Sequence, residues 1–139
     1  MSSAHSKAAE TSSAQHQRAL ILVVERNPAV QRLEKYFLEQ AGFSVEFASD
    51  GVTALKRAQE LRPKILVTEI LVPELDGLGL CRALKADPVT REIKVLIFSH
   101  LHAEERAREV EADAFLQKPL NDELIIDTVE KLIAETGRG

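Results

Sequence analysis

The sequence predicts an open α/β sheet of five parallel strands, wound with helices on both faces and ordered 2-1-3-4-5. Five short β-rich runs alternate with five segments of helical periodicity, and the first, third and fourth runs are nearly continuous in Val, Ile and Leu. Such runs suit strands buried on both faces of a parallel sheet. Right-handed crossovers between successive parallel strands then place helices on each face. With 139 residues, 45% of them hydrophobic, the chain can fill one ordinary core and not two.

Residues 1–18, MSSAHSKAAETSSAQHQR, contain no Leu, Ile, Val or aromatic side chain. They cannot bury enough apolar surface to offset their ordering entropy and are expected to form a flexible tail. The domain is expected over 19–135, with 136–139 a loose end. ALILVV (19–24) is the first strand. Asn27 can cap and Pro28 open the first helix, which turns Val30, Leu33, Phe37, Leu38 and Ala41 inward and stops at Gly42. FSVEFA (43–48) alternates like an edge strand, and Asp50-Gly51 starts a second helix with Leu55, Ala58 and Leu61 inward, ended by Arg62-Pro63. KILVTEI (64–70) is the third strand; the helix after Asp76-Gly77 buries Leu80, Cys81 and Leu84 and stops at Asp87-Pro88. KVLIFS (94–99) precedes a short, charged helix over about 103–110, and AFLQ (114–117) precedes a last helix after Asn121 that presents Leu124, Ile125, Thr128, Leu132 and Ile133.

Several function classes are disfavoured. The 18 basic and 22 acidic residues are interspersed, with a net charge of −4, so the basic stripe of a nucleic-acid footprint is missing. Cys81, the single cysteine, cannot form an internal disulfide and reads as a small core residue. No apolar run has the length of a membrane span or the position of a signal peptide, which predicts a soluble, cytoplasmic protein without membrane contact. VVERNPAV follows strand 1 where a glycine-rich phosphate loop would stand, so neither nucleotide fingerprint is present. His100 and His102 read as an exposed loop pair, and no nucleophile-and-base arrangement suggests an enzyme.

In a sheet of this order, ligands sit beyond the carboxyl ends of strands 1 and 3, where Glu25, Arg26 and Glu69 stand. ILVVERNP, FSVEFASDGVTAL, RPKILVTEILVPELDGLGLCRAL, KVLIFS and FLQKPL, in that order and spacing, resemble a response-regulator receiver domain over about 19–135. The resemblance implies a flavodoxin-like fold and a phosphorylation site. In that family two acidic residues after strand 1 hold Mg²⁺, and an aspartate ending strand 3 accepts a phosphoryl group. A Ser or Thr ending strand 4 senses it, an aromatic residue on strand 5 switches, and a Lys before Pro pairs with it. Ser99, Phe115 and Lys118 match the last three roles. Glu25 and Arg26 fall on the metal positions and Glu69 on the acceptor, so the acceptor and metal site depart from the pattern.

These departures predict a degenerate receiver, or pseudo-receiver. An inward Arg26 would put its charge where Mg²⁺ sits, opposing the ion by roughly 7 kcal/mol at an effective dielectric of about 20. Glu25 and Glu69 against Arg26 and Lys118 would neutralise the pocket without metal, so Mg²⁺ binding is expected to be weak or absent. The extra methylene of Glu69 moves its carboxylate by about an ångström, a misplacement that can cost about 100-fold in an in-line displacement. The same length lets Glu69 reach toward Ser99 and Lys118. A third departure is the 19 steps from Ser99 to Lys118, about three fewer than the receiver pattern implies. Glu111 also stands where the family favours glycine, and would be strained if its backbone were left-handed.

The sequence therefore predicts a phosphorylation-independent protein-interaction module of bacterial-type signalling, a relative of the two-component phosphorelay proteins. Its protein partner is expected on the helix 4, strand 5, helix 5 face, with homodimerisation open and no nucleic acid bound through this domain. The alternatives are an active receiver with atypical acceptor or metal chemistry and a regulatory fragment of a longer enzyme or DNA-binding regulator.

Overall fold

The computed structural model describes residues 19–119 and 121–136. The tail expected over 1–18 and the end at 137–139 lie outside those residues. Five parallel strands form one sheet in the order β2-β1-β3-β4-β5, with β1 at Leu20–Val24, β2 at Ser44–Ala48, β3 at Ile65–Thr68, β4 at Lys94–Ser99 and β5 at Ala114–Gln117. The helices are α1 (Pro28–Gln40), α2 (Gly51–Leu61), α3 (Gly77–Ala86), α4 (Glu104–Glu109) and α5 (Asp122–Thr136). None of the described helices is long and apolar enough to cross a membrane.

The predicted ends have visible causes. The Asn27 side chain accepts hydrogen bonds from the backbone N–H groups of Ala29 and Val30, and Pro28 opens α1. Gly42 takes φ 100° just past the helix. Asp50 caps Thr53 and Asp76 caps Gly79 in the same way. β3 stops at Thr68, so Glu69 lies one residue past the strand rather than inside a run reaching Ile70.

Both faces of the sheet are filled. Leu22, Val24, Leu66, Val95 and Ile97 pack against α2, α3 and α4 on one side. Ile21, Val23, Ile65, Val67, Leu96 and Phe98 pack against α1 and α5 on the other. Three expected core side chains, Leu33, Leu61 and Leu124, are exposed instead. The α1 stripe runs through Glu34 and Leu38, which are four residues apart and therefore share a face, and Leu33 is rotated off it.

The shortened connection before β5 ends α4 after six residues, and Glu111 takes φ 65° in the turn that follows. A side chain with Cβ in that region costs about 1–2 kcal/mol that glycine avoids. Glu111→Gly is expected to stabilise the fold by roughly 0.5–1 kcal/mol after the entropy of glycine in the unfolded chain is deducted. Urea unfolding reads this as a higher midpoint, and an unchanged or lower midpoint would refute the strain.

Candidate functional site

Sheet alternation delivers the site. Ile21 and Val23 face the α1/α5 side, and Glu25, two residues on, continues that side past the end of β1. Ile65, Val67 and Glu69 repeat the pattern on the neighbouring β3. β4 ends in Ser99, and the loop after β5 carries Lys118, whose ammonium lies 5.2 Å from the centroid of the Phe98 ring. The Lys118–Pro119 peptide bond is cis. α3 begins hard against this end of the sheet: a Cβ at Gly77 would stand 2.4 Å from the Glu69 carbonyl oxygen, so only glycine permits that approach.

Glu25, Glu69, Ser99 and Lys118 are all buried and meet in one cluster. Lys118 Nζ donates to Glu25 Oε1 at 2.5 Å and lies 3.2 Å from Glu69 Oε1. Ser99 Oγ donates to Glu69 Oε2, which also accepts from the N–H groups of Ile70 at 2.8 Å and Leu71 at 3.3 Å. Glu25 Oε2 accepts from Asn27 N at 3.0 Å, tying the cluster to the cap of α1. The Leu101 N–H donates to Ser99 Oγ, and the Lys118 N–H to the Ser99 carbonyl, so the β4 and β5 loops are fastened to the same hydroxyl-bearing residue. The Glu69 carboxylate thus engages the Ser99 hydroxyl and the Lys118 ammonium together.

Charge follows these contacts. Burial works against ionising Glu69, but the Ser99 hydroxyl, Lys118 and the two backbone N–H groups outweigh it and hold the carboxyl below its usual range. Burial likewise works against charging Lys118, and its hydrogen bond and proximity to Glu25, with the charge of Glu69, raise it. Both groups are therefore ionised at neutral pH.

Arg26 stands outside this arrangement. It is exposed, and none of the cluster's ion pairs includes it. Strand alternation turns the residue after Glu25 away from the α1/α5 side, and a hydrated guanidinium escapes a desolvation cost of several kcal/mol. The expected neutral balance is accordingly corrected to two carboxylates against one ammonium, a net formal charge of −1.

A divalent ion at this site would compete with donors already in place. Mg²⁺ demands oxygen ligands in near-octahedral geometry. Here all four carboxylate oxygens of Glu25 and Glu69 already face an ammonium, a hydroxyl or backbone N–H groups. No group of three or more His, Cys, Asp or Glu with metal-binding geometry occurs among the described residues.

Other singled-out residues fall in simpler places. Phe115 is half-buried and packs against the core cluster under α4. His100 is exposed, with Nδ1 3.8 Å from Glu69 Oε1 at the mouth of the site, and His102 is exposed. Cys81 is buried, with Sγ 3.4 Å from the Val110 carbonyl oxygen, and burial pushes its thiol up to about 11.

Sequence reasoning missed Glu34. This carboxyl is 2% exposed on the inner face of α1, and its Oε1 has no hydrogen-bond partner. Burial, opposed by Lys118 and reinforced by the charges of Glu25 and Glu69, pushes it up to about 8. The available signal was its spacing: four residues before Leu38 and four after Val30, Glu34 sits in the middle of the apolar stripe.

The family model "Response regulator receiver domain" matches residues 21–130. The DNA-binding dual master transcriptional regulator RpaA of Synechocystis sp. is 31% identical over 121 residues, 85% of this chain and 50% of its own length. The polar-differentiation response regulator DivK of Brucella anthropi is 29% identical over 118 residues, 83% of this chain and 96% of its own length. The chain thus spans half of one relative and nearly all of the other. The crystal structure of the signal receiver domain of a signal transduction histidine kinase from Syntrophus aciditrophicus superposes with a TM-score of 0.82 at 32% identity, covering 88% of this chain and 95% of that one.

Proposed function

This chain belongs to the response-regulator receiver family, and from that premise we propose that it is a degenerate member whose pocket is closed by its own side chains. It acts as a protein-interaction module of bacterial-type signalling that does not wait for phosphorylation. The single observation carrying this reading is the Glu69 carboxylate, which holds the Ser99 hydroxyl and the Lys118 ammonium at once. In a working receiver those two groups would be left for an incoming phosphoryl group. A carboxylate has fewer acceptor oxygens and less charge than a phosphoryl group, so the contact is a standing substitute rather than a copy.

The engaged carboxylate oxygens and the neighbouring ammonium support weak Mg²⁺ binding, and without the cation the charge of an approaching phosphoryl donor goes unscreened. No catalytic reaction is assigned to the chain. The shortened α4 and the turn at Glu111 reshape the face formed by α4, β5 and α5, where we place the protein partner; self-association through that face is part of the same proposal.

Titration with Mg²⁺ and beryllofluoride, followed by amide NMR, tests the reading. The wild-type spectrum is expected to stay fixed, whereas an Arg26→Asp, Glu69→Asp double variant should show saturable shifts at the ends of β1, β3 and β4. The second acidic side chain that Arg26→Asp adds beside Glu25 supplies a further oxygen ligand, and Mg²⁺ affinity is expected to rise by at least about tenfold. Saturable shifts in the wild type, or a mass gain of one phosphoryl group with acetyl phosphate that Glu69→Gln abolishes, would overturn the proposal in favour of an active receiver with atypical chemistry.

A further inference from the structure

We propose that Glu34 is a positioning residue of the pocket, whose proton decides whether Lys118 serves Glu25 and Glu69 alone or is shared with a third carboxylate. The structure gives this side chain an unusual setting. It is buried in the middle of the α1 face, on the side of the sheet that also carries Glu25, Glu69 and Phe98, and one of its oxygens lacks any partner. A buried carboxyl without a partner costs far more ionised than neutral, which favours the protonated form in this setting.

The groups acting on it are few. The charges felt at Glu34 are those of Lys118 on the loop after β5, Glu25 past the end of β1 and Glu69 past the end of β3, all acting through space. α5 contributes Ile125, Val129 and Leu132 to the shared cluster, and β2 packs Val45 and Phe47 against it. His100 is exposed at the mouth, with Nδ1 3.8 Å from Glu69 Oε1. Lys118 is therefore the cation available to Glu34 once the proton leaves. A third carboxylate competing for one ammonium weakens the hold of Lys118 on Glu69, and through Glu69 the bond to Ser99. The neutral form favours the closed pocket, and the ionised form loosens it.

This inference rests on the ion-paired reading of the pocket, and its test is separate from the beryllofluoride titration, so either can fail alone. In ¹³C- and ¹⁵N-labelled protein of the full chain, carrying His100→Gln so that no imidazole at the mouth reports, the side-chain carboxyl of Glu34 is followed from pH 5 to pH 9.5. A transition with a midpoint near 8 is expected, and the Lys118 side-chain and Ser99 amide signals should move with that same midpoint. In Glu34→Gln the Lys118 and Ser99 signals should stay fixed through that window; Glu34→Leu carries the same comparison if the amide variant fails to fold. Titration of Glu34 in the ordinary carboxyl range, or an equal shift of Lys118 and Ser99 in the Glu34 variants, would overturn the proposal.

Discussion

Lys118→Met is expected to cost about 3–5 kcal/mol of stability at pH 7.5, the loss typical of breaking a buried ion pair from one side. Methionine keeps most of the stem's volume and its contact with the Phe98 ring, so packing contributes little of that loss. What remains is two buried carboxylates, Glu25 and Glu69, whose shared cation has gone. The Ser99 hydroxyl and backbone N–H groups still serve Glu69, whereas Glu25 keeps only the Asn27 N–H. The loss should therefore shrink as pH falls, because protonation relieves an uncompensated buried charge, and should be largely recovered by Glu25→Gln in the Lys118→Met background. Urea unfolding at pH 7.5 and at pH 5 decides it: a loss below 1 kcal/mol, or one that ignores pH, would show that the pair is not the strut of this pocket.

Local chemistry made the fold readable in advance. Asn27-Pro28, Asp50-Gly51 and Asp76-Gly77 place a capping side chain directly before a residue able to begin a helix, and each starts a helix in the structure. The unbroken apolar runs at 21–24, 65–67 and 95–98 leave no polar face for solvent, which forces them into the sheet's interior. Leu33, Leu61 and Leu124 were misplaced because side-chain type and helical face disagree at those positions. The face is set by how α1, α2 and α5 lie on the sheet, a tertiary property, and apolar character alone cannot override it.

At the pocket, position was legible and direction was not. The switch in strand order placed Glu25 and Glu69 at the neighbouring ends of strands 1 and 3, and the length of Glu69 was enough to foresee its reach to Ser99 and Lys118. The outward turn of Arg26 depends on a balance between pairing and desolvation that the residue sequence does not display. Glu34 was hidden for the opposite reason. A glutamate on a helix is ordinarily solvated, and only its spacing within the stripe marks it as buried.

That burial gives the protein a definite pH profile. The Glu34 carboxyl is raised from an ordinary value of 4.5 to about 8 in the fold. Below 4.5 both folded and unfolded chains carry its proton and the group has no effect. Between 4.5 and 8 the folded chain binds a proton that the unfolded chain lacks, so the stability present at low pH is lost steadily as pH rises, and above 8 the loss is complete. Its size is on the order of 3–5 kcal/mol, from 1.36 kcal/mol per pKa unit. Glu69 acts in the other direction: its lowered carboxyl adds stability at neutral pH that disappears in acid, as pH falls through its folded value. The two opposing trends predict maximum stability on the mildly acidic side of neutral. Glu34→Leu should remove only the decline between pH 4.5 and 8, leaving the variant more stable than the wild type by a few kcal/mol at pH 8.5 and close to it near pH 4.5. Urea midpoints across that range test the sign as well as the size, because an ordinary surface glutamate would leave the two curves parallel.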